Sequence, residues 1–316
     1  MILNRRLGEG ETADERTAEA AIRRVPQWQD RLHDVSYGML VGGLNNRNWR
    51  ISVAGDTRDY FLKVPGAGTE IFIDRAASNE AAVNAHRLGI APEVIFYAPE
   101  DGTEVHEFLD GYLTCTTADF ARPEIRADVI GLFRTLHSGP RLSLVKTIFD
   151  LIDEHLEQAR TLQSDMPGDL GWLLHHYERI RAAMLASGLD LVTCYNDPMP
   201  GNFLIAPGRP MRLIDYEFAS TNERSYDIGV FACEMFLDDD ETEALIEAYF
   251  GRVTPQMIAR VNLNRILADL KWGSWAVVNR KLSDWDFDFQ KYGLWKYMRG
   301  KAMMRDPRFA DWLRRA

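Results

Sequence analysis

Cysteine is scarce in this chain: three residues in 316, Cys115, Cys194 and Cys233, far apart and odd in number. They fit neither a disulfide framework nor a zinc site, and read as reduced, mostly buried thiols of a cytoplasmic protein. No apolar run approaches the ~18 residues that suggest a membrane span, and Met1 to Glu11 lacks the charged-then-apolar pattern of a signal peptide. Positive charge is in deficit, 37 Lys and Arg against 47 Asp and Glu, for a net charge of −10. That argues against nucleic acid as the main partner and is compatible with a cationic small substrate. There is no internal repeat and no low-complexity linker, and nothing in the sequence fixes an oligomeric state. Lysine is nearly missing from the first 145 residues, where Lys63 is the only one.

What is present reads as two lobes. Thr12-Ala13-Asp14-Glu15 has the spacing of a capping box, and the helix it opens should run to about Val25, before Pro26. Strand-like segments follow at 35–40, 48–53 and 59–64, with Gly42-Gly43 at the first hairpin and Gly55-Asp56 at the second. A helix is expected over 74–88, then strands at 93–97 and 103–108. From Arg122 the pattern turns helical, at 123–138, 146–163, 169–187 and 254–282. Leu189 to Phe218 interrupts it with short apolar runs between Pro and Gly. Strands first and helices afterwards exclude a doubly wound sheet. They predict an α+β fold with a small antiparallel β N-lobe over 1–110 and a larger, mostly helical C-lobe over 111–316.

The interruption carries the chemistry. In Tyr195-Asn196-Asp197-Pro198-Met199-Pro200-Gly201-Asn202, an Asp is followed five residues later by an Asn, and Asp215 lies thirteen residues beyond. Phosphoryl transfer from ATP needs this set: a carboxylate to orient a hydroxyl, then an amide and a carboxylate to hold Mg²⁺. The spacing matches the kinase pattern D-x-x-x-x-N … D-x-G, with Tyr216-Glu217 in place of Phe-Gly. Lys63, in Tyr60-Phe61-Leu62-Lys63-Val64, is the candidate for the ATP phosphates. A surface lysine on an exposed strand face is the alternative. Glu80, seventeen residues on in the expected helix, is the candidate ion-pair partner. Gly43 and Asn46 belong to a turn that either cradles phosphate or simply closes a hairpin. Gly66-Ala67-Gly68 lacks the third glycine of a dinucleotide fingerprint. Asp238-Asp239-Asp240-Glu241 fails the EF-hand spacing and reads as a solvated helix start. Trp272 and Trp275, three apart on one helical face, are either core or an aromatic wall for an ammonium group.

Together these segments resemble the choline/ethanolamine kinase family, bacterial type, within the aminoglycoside-phosphotransferase-like, protein-kinase-like superfamily. The resemblance runs from about Val35 to about Tyr297. It implies that Lys63 binds the ATP phosphates, that Glu80 positions it, and that Glu107 to Leu109 form the hinge against adenine. It further implies Asp197 as catalytic base, Asn202 and Asp215 as Mg²⁺ ligands, and Glu217, Trp272 and Trp275 near the substrate. Tyr226-Asp227-Ile228-Gly229 is similar to the structural motif that follows. Tyr195 stands where the family usually has His, and Val230 where an Asn often follows the Gly. The expected activity is ATP- and Mg²⁺-dependent phosphorylation of a small amino alcohol, choline or ethanolamine. The alternatives are a kinase of another small alcohol, such as an aminoglycoside or thiamine, and a nucleotide-binding protein without catalysis.

Overall fold

The computed structural model describes residues 5–40, 46–66, 68–283 and 285–316. The chain forms two compact units. The first runs to Leu113 and takes in Ile205–Glu217; the second holds Thr114–Leu204 and Phe218–Ala316. The expected division at residue 110 missed the return of Ile205–Glu217 to the first unit. That return reflects where the segment packs, which local pattern does not encode.

The first unit is an antiparallel sheet with helices against it. Its strands are β1 (Arg5–Arg6), β2 (Val35–Leu40), β3 (Asn46–Val53), β4 (Tyr60–Pro65), β5 (Val94–Ala98) and β6 (Thr103–Glu107). They lie in the order β1-β2-β3-β4-β6-β5. Alternation in β3 buries Trp49, Ile51 and Val53, as period-2 patterning requires. Helix α1 (Ala13–Ile22) begins at the expected capping box, Thr12 accepting from the Glu15 N–H and Glu15 reaching back. It places Ala18, Ala21 and Ile22 in the same core. The helix stops at Ile22, short of Val25, and a run of tight 3₁₀ turns spans Pro26–Asp34. Helix α2 (Arg75–Arg87) is capped by Asp74, whose side chain accepts from the Ala77 N–H. The hairpin glycines Gly42 and Gly43 lie outside the described residues.

The chain leaves the first unit through β7 (Leu113–Thr114). The second unit is mostly helical, with α3 (Pro123–His137), α4 (Ile148–Thr161) and α5 (Leu170–Ser187). Strands β8 (Leu191–Cys194), β9 (Phe203–Ala206), β10 (Arg209–Leu213) and β11 (Ser220–Glu223) occupy the irregular stretch, and the chain crosses into the first unit within β9. Helices α6 (Arg224–Glu234), α7 (Asp239–Phe250), α8 (Pro255–Leu282), α9 (Phe289–Met304) and α10 (Phe309–Arg315) complete it. Asp238 caps α7 in a capping box with Glu241, so the acidic run is a helix start. Antiparallel pairing of β8 with β11 sets Cys194 opposite Ser220. Phe120, Phe133, Phe203 and Phe231 pack edge to face, with centroids 5.4–6.3 Å apart, and so anchor the chain directly after Asn202. Among the described residues no helix is long and apolar enough to cross a membrane.

Candidate active site

In the first unit Lys63 sits in the middle of β4, opposite Asn48 on β3 and Glu104 on β6. Its side chain is 7% exposed, which sets aside the surface-lysine reading. The ammonium lies 3.0 Å from Glu104 Oε2, 3.3 Å from Glu217 Oε1 and 3.5 Å from Asp215 Oδ1. Burial alone would strip its proton; the three carboxylates outweigh burial and raise its pKa. Burial would likewise raise Glu104, yet Lys63 and His106 hold its carboxyl down at about 2. Lys63 thus pairs with Glu104, which the cross-strand register puts directly beside it, while Glu80, the partner expected from the sequence, stands on α2.

Asp215 adopts a left-handed backbone, φ +63°. Its carboxyl is pushed up to about 6 by burial and by Glu217, with Lys63 opposing. Glu217 accepts from Asn46 Nδ2 at 2.8 Å and lies 3.4 Å from Arg75 Nη1. Three carboxylates converge on Lys63, one of them, Glu217, also beside Arg75, and a carboxylate pushed upward by burial and by an acidic neighbour is suited to a divalent cation. Glu217, expected near the substrate, has its side chain buried in the first unit, where Asn46, Lys63 and Arg75 engage it. Asn46 was expected in a phosphate turn and is a buried residue of β3. Glu107 closes β6, its N–H donating to the Glu93 carbonyl, and Leu109 accepts from the Tyr112 N–H in the chain beyond it.

In the second unit the loop bearing Asp197 is held from behind. The backbone N–H groups of Tyr195 and Asn196 donate to the two carboxylate oxygens of Asp227, each at 2.7 Å. Asn196 takes φ +68°, and its amide donates to the Phe218 carbonyl and Ser220 Oγ. Asn202 Nδ2 donates to the Asp197 carbonyl at 3.0 Å. Its amide nitrogen is thereby engaged, and the amide oxygen is the atom left for a cation. Tyr195, in the position of the usual His, is fully buried, and its backbone N–H takes part in the Asp227 brace.

Trp272 and Trp275 are each 4% exposed and pack edge to face, centroids 5.5 Å apart. Phe218 meets Trp272 at 5.2 Å, and Phe289 and Tyr292 meet Trp275 at 5.7 and 6.2 Å. Lys271 is fully buried, its Nζ 2.9 Å from the Trp272 ring centroid and 3.9 Å from that of Phe218. Asp197 acts electrostatically on Lys271, Tyr226 and Tyr292, so the aromatic cluster lies near the loop that bears Asp197.

The sequence profile of the choline/ethanolamine kinase family matches residues 38–250, more than half of the chain. The chain belongs to the choline/ethanolamine kinase family. A choline/ethanolamine kinase family protein of Mesorhizobium loti shares the fold with a TM-score of 0.79 and 28% identity, over 95% of this chain and 98% of that one. Probable choline kinase 2 of Arabidopsis thaliana is 20% identical over 309 residues, covering 87% of each chain. Ethanolamine kinase 2 of Rattus norvegicus is 24% identical over 310 residues, covering 86% of this chain and 76% of its own. As a member of this family the protein is a kinase that phosphorylates an alcohol.

For this kinase the structure gathers Lys63, Asp215 and Glu217 in one unit, and Asp197, Asn202, Trp272 and Trp275 in the other. Sequence reasoning missed Glu104, Asn196 and Lys271. The signal for Lys271 was present: a lone lysine directly before the tryptophan pair, in a mostly apolar stretch of helix.

Proposed function

We propose that this kinase transfers the γ-phosphoryl group of ATP to the hydroxyl of a small amino alcohol, choline or ethanolamine. The observation that carries the reading is the buried ammonium of Lys63 beside Asp215, with Glu104 and Glu217 around it. A compact cation held charged in an apolar strand is suited to phosphate oxygens. Asp215 and Asn202 offer the oxygen donors that Mg²⁺ takes, and bound Mg²⁺ would neutralise charge on the transferring phosphate. Asp197 orients the attacking hydroxyl, and the loop braced by Asp227 keeps that carboxylate in place. Glu107 and Leu109, at the end of β6 and beyond, are assigned to the adenine. A cytoplasmic location fits three buried cysteines that stand free. The printed names of the relatives divide between choline and ethanolamine, and both alcohols are therefore the first acceptors to try.

The test is ATP-dependent formation of phosphocholine and phosphoethanolamine, wild type against Asp197→Ala. Turnover of at least one alcohol should fall by a factor of about 10³ or more in the variant. No turnover of either by the wild type would overturn the acceptor assignment.

A further inference from the structure

Several aromatic faces in this part of the second unit, that of Trp272 among them, are already covered by basic side chains of the chain itself. Lys271 Nζ stands over Trp272 and Phe218. Lys296 Nζ lies 4.9 Å from the Tyr292 centroid and 5.5 Å from that of Trp295, and Arg299 lies 5.1 Å from Trp295. The acids nearby are paired as well. Glu234 meets Lys296 and Arg299, and Asp269 meets Arg299 at 2.6 Å. Lys271 differs from Lys296 and Arg299. Like Lys296 it is fully buried, but its Nζ makes no hydrogen bond to any described residue. The charged and titratable groups acting on it are Asp197, Glu154, Lys146, Lys296 and His155, and Lys146 and Lys296 are themselves ion-paired.

A quaternary ammonium gains its affinity from aromatic faces, because it has no N–H to donate. Here the Trp272 face holds an amine at 2.9 Å, too close for a trimethylammonium to share it. We propose that Lys271 is the specificity-determining residue of the acceptor site: by filling the Trp272 face with its own nitrogen it rejects quaternary ammonium alcohols and selects alcohols whose nitrogen carries hydrogen, of the aminoethanol type. This rests on reading the chain as a kinase of small amino alcohols. The selection follows from hydrogen bonding. Burial pushes the Lys271 amine toward its neutral form, which has a lone pair. A primary ammonium can donate to that lone pair in a charge-assisted bond, and a trimethylated nitrogen cannot.

Two measurements test it. The first is kcat/KM for ethanolamine and for choline in the wild type, in Lys271→Met and in Lys271→Arg. The wild type should favour ethanolamine by about tenfold or more. Lys271→Met, which clears the face and keeps an unbranched apolar chain, should reverse the preference, and Lys271→Arg should keep choline excluded. The second is calorimetric titration with tetramethylammonium, which needs no turnover. Binding should be weak in the wild type and about tenfold tighter in Lys271→Met. A wild type that uses choline as well as ethanolamine, or binds tetramethylammonium as tightly as Lys271→Met, overturns the proposal. Should Lys271→Met fail to fold, the wild-type preference and Lys271→Arg still decide. If neither alcohol is phosphorylated, the acceptor reading fails while the titration still judges Lys271.

Discussion

The carboxylate of Asp227 accepts the backbone N–H of Asn196 at 2.7 Å, with its other oxygen doing the same for Tyr195. It also takes His137 Nε2 at 2.9 Å. All four residues are buried. A carboxylate on α6 thus sets the entry to the loop that carries Asp197, one residue further on. Asp227→Asn keeps the shape but presents an amide N–H to one of two backbone donors. It should cost about 2–4 kcal/mol in unfolding free energy, measured in urea. Its kcat should fall about 100-fold with the KM for ATP little changed, because Lys63 and its partners lie in the other unit. A variant with unchanged kcat would mean that the loop does not depend on this brace.

Glu104 is the counter-charge that makes a buried Lys63 tolerable. Removing one partner of a buried ion pair leaves the other desolvated and costs about 3–5 kcal/mol. Here Asp215 and Glu217 remain, so Glu104→Gln should sit at the low end, and an unfolding curve gives the number. The same change shifts Lys63 toward Asp215 and Glu217, and the KM for ATP should rise about tenfold. Lys63→Met should raise it further, and because it strips buried Glu104 and Glu217 of their counter-charge it should also cost about 3–5 kcal/mol in unfolding free energy. Equal KM values for ATP in the wild type and Lys63→Met would remove Lys63 from the nucleotide site.

The sequence disclosed those parts of the molecule that are local. Thr12 with Glu15 and Asp238 with Glu241 announced helix starts through backbone chemistry confined to one turn, and both are there. Lys63 was conspicuous because no other lysine stands near it. Glu104 was not, because its meeting with Lys63 depends on β6 inserting between β4 and β5, a pairing between segments forty residues apart. Glu217 was legible as an acid of the Asp215 segment, yet its burial against Asn46 and Arg75 follows from the return of Ile205–Glu217 to the first unit. Lys271 reads as an ordinary helix cation until its neighbours from α4 and the Phe218 segment are in place.

His155 gives the stability a pH dependence. Burial first, and then the nearby Lys271, lower its pKa to about 3, opposed by a hydrogen bond in which His155 Nδ1 donates to Gln158 Oε1 at 2.9 Å. In the unfolded chain a histidine titrates near 6.5. Above that pH both states are neutral at this site and it contributes no slope. As pH falls from 6.5 toward 3 the unfolded state takes up the proton and the folded state does not, so stability declines by up to about 1.4 kcal/mol per pH unit. Urea midpoints at pH 7, 6, 5 and 4 should show the decline, and His155→Gln should flatten it. Identical slopes in the two proteins would place the acid sensitivity elsewhere.

Gly229, two residues after Asp227, lets α6 lie close against α8. A Cβ built there would come within 2.8 Å of Asn264 Cβ and 3.0 Å of the Val261 carbonyl, neither of them the end of a flexible side chain. Gly229→Ala must therefore move one helix, and overpacking of this kind costs about 1–3 kcal/mol. That loss outweighs the gain of under about 1 kcal/mol that Ala brings to a helix interior. Because α6 carries Asp227, the shift also reaches the Tyr195–Asn196 backbone. Gly229→Ala should lower kcat in the same direction as Asp227→Asn but by less, about three- to tenfold. The double variant should lose less than the two single losses combined, since both act through one brace. Strict additivity in kcat would separate the packing of α6 from the positioning of the loop.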